Sequence, residues 1–386
     1  MSSGLHLERT VSEPRHRAGW GGHAPLSPLS LLMATRYGRL GASSRLRLLQ
    51  YEAPLAEAGI ISTARPFFPD SYVRALYGAG PRLRPTLAAY AHAAGLARAI
   101  REHDLIWIEK ELLPFIPASL ERRLLGGRPF VLDFDDPWFL RYEQSGNPLI
   151  RLMLGGKFAA LLRRAALTIV ANEALENWAS EAGARRVLRL PTVVDLDLYP
   201  VVAEPPAPFT IGWIGTPVTA PYLASIAAPL RQLAAEAPLE LLVIGAPDLA
   251  IPGVACRHEH WSEATEAASI ARCHVGIMPL PDDEWARGKS GYKLIQYMAA
   301  GRPTVASPVG ANRSIVREGE TGFLAADASA WCDRLRRLRD DAALRQRMGS
   351  AARSRAARDY SLQVTAPRLA GALRDLMDVR PLTNGV

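Results

Sequence analysis

At 386 residues the chain is longer than one hydrophobic core usually supports, so two domains are expected. Apolar residues make up 48% of it and both charge signs are interspersed, which excludes a disordered or fibrous chain. The formal net charge of +8 points to phosphates or anionic lipid surfaces, but the aromatics do not alternate with the basic runs as a nucleic-acid stacking platform requires, so nucleic acid is not an expected partner.

Residues 1–27 hold charge and glycine without an apolar core segment, which argues against a secretory signal and predicts a disordered leader. SLLMAT (30–35) reads as the first buried strand, and the loop after it leads into a helix ending near Gly59. Ala-rich helical sequence fills 82–102, and DLIWIEK (104–110) follows as a strand. PFVLDFDD (129–136) is another strand and ends in the carboxylates Asp133, Asp135 and Asp136. A carboxylate there can take a proton from an acceptor hydroxyl or hold a divalent metal. The competing reading makes Asp136 a helix cap ahead of Pro137.

Residues 149–166 suit a basic amphipathic helix, with Arg151, Lys157, Arg163 and Arg164 among leucines. Such a helix lies on a membrane surface or packs on its own domain, and Gly155 and Gly156 weaken its middle. LTIVAN (167–172), a helix over 173–182 and VLRLPT complete the first half. The Pro- and acid-rich stretch near 193–209 reads as a linker.

The second half begins again with TIGWIG (210–215), a helix over 219–236 and ELLVIG (240–245). CRHEH and HVGIMPL flank a helix near 262–272. Arg- and Ala-rich helices follow Asp327. This alternation predicts parallel sheets covered by helices on both faces, with a ligand cleft beyond the strands' carboxyl ends. Cys256, Cys273 and Cys332 form no CxxC pair, so neither a zinc site nor a disulfide framework is expected. No apolar run reaches the roughly 18 residues of a membrane span.

RGKSGYKLIQYMAAGRPTVASPVG (287–310) is the most informative segment. Arg287, Lys289 and Lys293 crowd a glycine-bearing loop that enters a helix, and helix N-termini in α/β units favour anions. The two lysines share a helical face if the helix already begins at Lys289. A solvated basic loop is the plain alternative.

With TIGWIGTP, LLVIGAP and the linker RLPTVVDLDLYP, this segment resembles glycosyltransferase family 4 of the GT-B fold, most closely over 187–325 and more weakly at FDDPW (134–138) and at Ala171-Asn172. The resemblance implies α/β architecture with two Rossmann-like domains facing a central cleft. Its implied divisions are an acceptor-side domain over 28–195, a linker over 196–208, a nucleotide-sugar domain over 209–358 and a C-terminal helix over 359–386 that packs back on the first domain.

The implied activity is sugar transfer from a nucleoside diphosphate donor to a hydroxyl, a glycan or lipid-linked glycan, with retention and without an obligate cofactor or metal. It implies a cytoplasmic protein, with peripheral contact at the inner membrane face. Asp135 and Asp136 are the candidate catalytic acids. Arg287, Lys289, Lys293, Gly288 and the amides of Gly215 and Thr216 are candidates for the diphosphate. Gly245, Trp261, Gln296, Gly310 and Asn312 are candidates for nucleoside and sugar; for Trp261 a core position and for Asn312 a helix cap are the alternatives.

The family's paired glutamates, eight positions apart, would fall at Gly288 and Gln296, and the cations that commonly follow the first strand of the second domain are absent. The 287–293 cluster must therefore neutralise the diphosphate. The missing glutamates also motivate a second hypothesis, a catalytically silent GT-B relative that binds a nucleotide sugar or a partner protein. A sugar-nucleotide epimerase ranks last, because its acid and histidine arrangement is not evident.

Overall fold

The computed structural model describes residues 28–77, 80–81, 83–247 and 249–378; the leader expected over 1–27 and the end of the tail lie outside them. The first half contains β1 (Leu29–Ala34), β2 (Ile60–Ala64), β3 (Leu105–Glu109), β4 (Phe130–Phe134), β5 (Leu167–Val170) and β6 (Val187–Arg189). The second contains β7 (Phe209–Ile214), β8 (Leu239–Ile244), β9 (Ala255–Glu259), β10 (Val275–Met278), β11 (Thr304–Ala306) and β12 (Gly322–Leu324). All pairings are parallel, in two six-stranded sheets ordered β2-β1-β3-β4-β5-β6 and β12-β11-β10-β7-β8-β9.

Strand order places the sites. In the first sheet it reverses between β1 and β3, in the second between β7 and β10, and ligands of open parallel sheets sit at such reversals. β3, β4, β5 and β7 are buried along their full lengths, as strands covered on both faces must be.

Several elements differ from the sequence expectation for local reasons. β2 is an edge strand whose Ser62 and Thr63 interrupt its apolar run, and β12 has only three residues; neither stood out in the sequence. The single helix expected over 149–166 is two, Pro148–Leu154 and Lys157–Leu162, parted at Gly155 and Gly156. Lys157 does not belong to a basic surface: it is fully enclosed, and its Nζ lies 2.7 Å from both Glu111 and Glu121. Leu149, Leu152 and Met153 remain exposed. No helix among the described residues is long and apolar enough to cross a membrane.

The final helix, Leu362–Asp378, leaves the second half and inserts Leu369, Ala370 and Leu373 among Leu29, Leu31, Leu105 and Leu167 of the first. Burying those side chains contributes roughly 1.5–3 kcal/mol for each leucine and ties the two halves together.

Candidate active site

The first half supplies a layer of buried charge at the carboxyl ends of β1, β3 and β4. Arg47 forks Asp133, Nε to Oδ1 at 2.8 Å and Nη2 to Oδ2 at 3.1 Å, and donates to the Leu190 carbonyl at 2.8 Å. Lys110 follows β3 directly with a left-handed φ of 64°, which a non-glycine residue adopts at a cost. That turn brings its Nζ 2.9 Å from Asp135 and 2.9 Å from the Ser43 hydroxyl, which itself donates to Asp135. Arg36, with Glu111 at 2.8 Å, completes the layer. Charges this deep persist only when paired.

The two candidate acids therefore differ. Burial opposes ionisation of Asp135, but Lys110, the Ser43 hydroxyl and Arg47 hold its carboxyl below the ordinary value. It is a locked anion, and the expectation that it works as a base is corrected on that ground. Asp136 is only half-buried, at the cleft. Burial pushes its pKa up to about 6, with the charge of Lys289 opposing and that of Asp135 adding. A carboxyl that titrates near neutrality in a cleft is suited to accept a proton. Asp136 caps no helix; the next one begins at Leu140 with Phe139 ahead of it.

From the second half, the loop after β10 delivers the lysines. The helix starts at Tyr292, not at Lys289, because Gly291 turns the chain with φ +71°. Lys289 precedes it and lies 5.9 Å from the rings of both Tyr222 and Trp285. Lys293, in the first turn, lies 4.3 Å over Trp213 and 3.5 Å from the Thr219 hydroxyl. Burial and the nearby charge of Lys289 push its pKa down to about 7. Arg287 does not join them. Its side chain is exposed and its guanidinium is paired with Asp282 at 2.7 Å.

The turns after β7 and β8 give space and few donors. The Gly215 amide already bonds the Ile244 carbonyl at 3.0 Å and the Thr216 amide the Thr219 hydroxyl at 3.2 Å, which corrects their reading as free phosphate donors. Gly215 matters because a Cβ there would fall 2.7 Å from Lys293 Nζ. Gly245 holds φ +86° and its Cβ would strike the Gly215 carbonyl at 2.5 Å, so side chains are excluded at both turns.

Trp261 sits beside Gly245, donates to Glu266 at 2.6 Å and carries the Arg45 guanidinium of the first half at 4.9 Å from its ring. Gln296 is enclosed and donates to the Tyr199 hydroxyl at 3.2 Å, so it does not reach out to a ribose. Gly310 lets the Arg287 backbone approach. Asn312 begins its helix and sends its amide to the Ser307 carbonyl at 3.0 Å; it braces the loop and is not the cap.

The halves meet at Gly288 and Lys289, both candidates from the sequence, through a first-half residue that was not one. Asn172 donates from Nδ2 to the carbonyls of Gly288 at 2.8 Å and Lys289 at 3.0 Å. Pro137 packs on Gly288, and Trp138 lies 6.4 Å from Trp285. Lys110 had a signal in the run Glu109-Lys110-Glu111, a cation among acids at a strand end; Asn172 lies in the pair Ala171-Asn172, which carries part of the family resemblance, but nothing there pointed to the other domain. Among the described residues no cluster of three or more His, Cys, Asp or Glu is arranged to hold a metal ion.

Two parallel-sheet domains with cations from one and a carboxylate from the other at a shared cleft define the GT-B architecture. Solved structures with that fold superpose over nearly the whole chain: a sucrose-phosphate synthase from Thermosynechococcus elongatus (TM-score 0.67, 18% identity, 92% of this chain and 100% of that one) and the Anabaena protein HepE in complex with UDP-glucose (TM-score 0.63, 15% identity, 90% and 100%). Residues 209–341 match the family described as group 1 glycosyl transferases. A D-inositol 3-phosphate glycosyltransferase of Corynebacterium diphtheriae is 30% identical over 159 residues. That match spans 36% of this chain and 36% of the relative, about a third of either length.

Proposed function

We propose that the protein transfers a sugar from a nucleoside diphosphate donor to a hydroxyl acceptor. The observation that carries the reading is the position of Lys289 and Lys293 at the strand-order reversal of the second sheet, with the charge of Lys289 acting on Asp136 from the opposite domain. Two cations that form no ion pair among the described residues match a diphosphate that gains charge as the glycosidic bond breaks. Asp136 then accepts the acceptor's hydroxyl proton. The locked layer beneath it, Asp135 with Lys110 and Ser43, fixes the strand end on which Asp136 stands.

HepE was solved with UDP-glucose, which makes a uridine donor the first to try. Retention, a glycan or lipid-linked acceptor, membership of family 4, operation without a metal and a cytoplasmic site at the inner membrane face follow from resemblance and belong to the proposal. A second reading, a relative that binds the donor without turnover, is favoured by one feature: Pro137 occupies the space where a Gly288 side chain would lie, so the family's glutamate has no room.

A panel of nucleotide sugars separates the two. Transfer or slow donor hydrolysis that disappears in Lys293→Ala supports the enzyme. UDP binding without turnover on any acceptor supports the silent relative. Unchanged UDP affinity in both Lys289→Ala and Lys293→Ala refutes the diphosphate assignment, since each should weaken binding by about 1.5–3 kcal/mol.

A further inference from the structure

Asn172 does two jobs with one side chain. Its Oδ1 accepts from the Leu175 amide at 3.0 Å and so caps the helix Glu173–Glu181. Its Nδ2 faces the other way, out of its own domain, and divides its two hydrogens between the carbonyls of Gly288 and Lys289. A capping residue needs only an acceptor oxygen, and serine, threonine or aspartate would serve as well. The amide adds a donor, and that donor is spent on the other domain.

The second contact on the same loop has the same logic. Gly288 is buried against Pro137, whose Cγ, Cδ and Cβ stand 2.6 to 2.8 Å from where a Gly288 Cβ would lie. Its φ of −81° is open to any residue, so glycine is required there for space and not for conformation. Pro137 directly follows Asp136, and Lys289 directly follows Gly288. Closing the Pro137–Gly288 contact therefore brings the two chemically active neighbours together from opposite domains.

We propose that Asn172 is a positioning residue which, with Pro137 on Gly288, clamps the lysine-bearing loop to the first domain and sets Lys289 against Asp136 only when the cleft is closed. The inference rests on the glycosyl-transfer reading for its consequence in catalysis, but not for the clamp itself. In the open cleft the Gly288 and Lys289 carbonyls return to water and the loop is held from one side. In the closed cleft the same loop is held from both sides, at carbonyls flanking the peptide that carries the lysine. The bridging amide of Asn172 and the ring of Pro137 are both turned to the Gly288 loop, so the clamp should act on the rate of the closed complex more than on donor affinity.

The test compares wild type with Asn172→Ser, Asn172→Asp and Gly288→Ala. Serine and aspartate keep the capping oxygen and remove the bridging amide, and the alanine pushes Pro137 away. Melting temperatures check that the cap and the fold survive. Small-angle scattering of each protein, with and without UDP, reads closure directly, and UDP-glucose hydrolysis reads kcat and KM separately.

The expected result is a larger radius of gyration with UDP in all three variants. Asn172→Ser should lose about tenfold in kcat with less than about a threefold change in KM, from the loss of two neutral hydrogen bonds in the closed state alone. Scattering curves identical to wild type overturn the clamp, whether or not the protein turns over UDP-glucose. Expansion with unchanged kcat overturns the positioning role. Wild type that neither binds UDP nor hydrolyses UDP-glucose would sink the glycosyl-transfer reading and leave the scattering comparison to decide the clamp.

Discussion

Donor binding should draw a proton from solution, and Lys293 is the reason. Its ammonium is pressed over the Trp213 ring at 4.3 Å with a single hydroxyl, Thr219, at 3.5 Å, and Gly215 leaves it space but no acceptor. Burial and the charge of Lys289 lower its pKa to about 7, against about 10.4 for a free lysine. At pH 8 the free protein therefore carries that proton only about a tenth of the time. A diphosphate against Nζ offsets both causes at once, its counter-charge compensating the lost hydration and cancelling the repulsion from Lys289. The bound lysine then titrates well above pH 9, and binding at pH 8 takes up about 0.9 proton per UDP.

The same arithmetic gives affinity. The charged fraction of free protein is about one half at pH 7 and about one hundredth at pH 9, so UDP affinity should fall about 50-fold across that interval, about 2.3 kcal/mol. The ligand adds little of its own slope, because a terminal phosphate loses its last proton near pH 6. Titration calorimetry in two buffers of different ionisation enthalpy measures the uptake directly. Lys293→Met should abolish both the uptake and the pH dependence. Wild-type uptake below about 0.2 proton at pH 8, or uptake that persists in Lys293→Met, refutes the placement of the diphosphate against this lysine.

Asp136→Asn should abolish transfer and yet raise stability at pH 7.5. The native carboxyl titrates near 6 against about 3.9 unfolded, so its stability contribution is full below pH 4 and lost as pH rises through 6. The gain, up to about 2 kcal/mol after allowing for partial exposure, should vanish at pH 4, and thermal melts at the two pH values check it. In wild type, kcat/KM should rise through about pH 6 as Asp136 ionises, and a flat profile between pH 5 and 8 argues against its use as base. Lys157→Met leaves Glu121 without its cation and Glu111 with Arg36 alone, and should cost about 3–5 kcal/mol in urea unfolding; a loss under about 1 kcal/mol would mean the triad is not held as charges.

Much of the fold could be read in the sequence because its strands are buried on both faces. SLLMAT, FVLDFDD, LTIVAN, TIGWIG and ELLVIG are near-continuous apolar runs closed by turn residues, and each became a strand within a residue or two. β2 and β12 escaped because an edge strand and a three-residue strand carry little of that signal. At the site, Lys289 and Lys293 were legible as cations near glycine beside a helix start. Asp136 was legible as a carboxylate at a strand end, but its meeting with Lys289, and that of Asn172 with the same loop, was not, since both lie more than 110 positions away in sequence and reach the loop only through the packing of two domains. The charge of Arg287 was likewise visible, but its surface pairing with Asp282, five residues earlier, was not.

The contrast between the two halves explains why the lysines, and not the more numerous buried charges of the first half, mark the donor. Arg36, Arg47, Lys110 and Lys157 are all enclosed, and each has a carboxylate within 2.9 Å. Those pairs are complete, and an incoming anion would have to break one to be held. Lys293 is shielded too, yet its neighbours are a ring, a hydroxyl and a second lysine, and its lowered pKa records the missing counter-charge. Folding leaves that deficit where the sheet order reverses, and opposite the half-buried carboxyl of Asp136, whose own pKa is raised. A site that keeps a lysine partly neutral and a carboxylic acid partly protonated at pH 7 is poised for a ligand that supplies negative charge to one and takes no salt bridge from the other. A diphosphate leaving group beside an acceptor hydroxyl meets both conditions, and a structural ion pair meets neither.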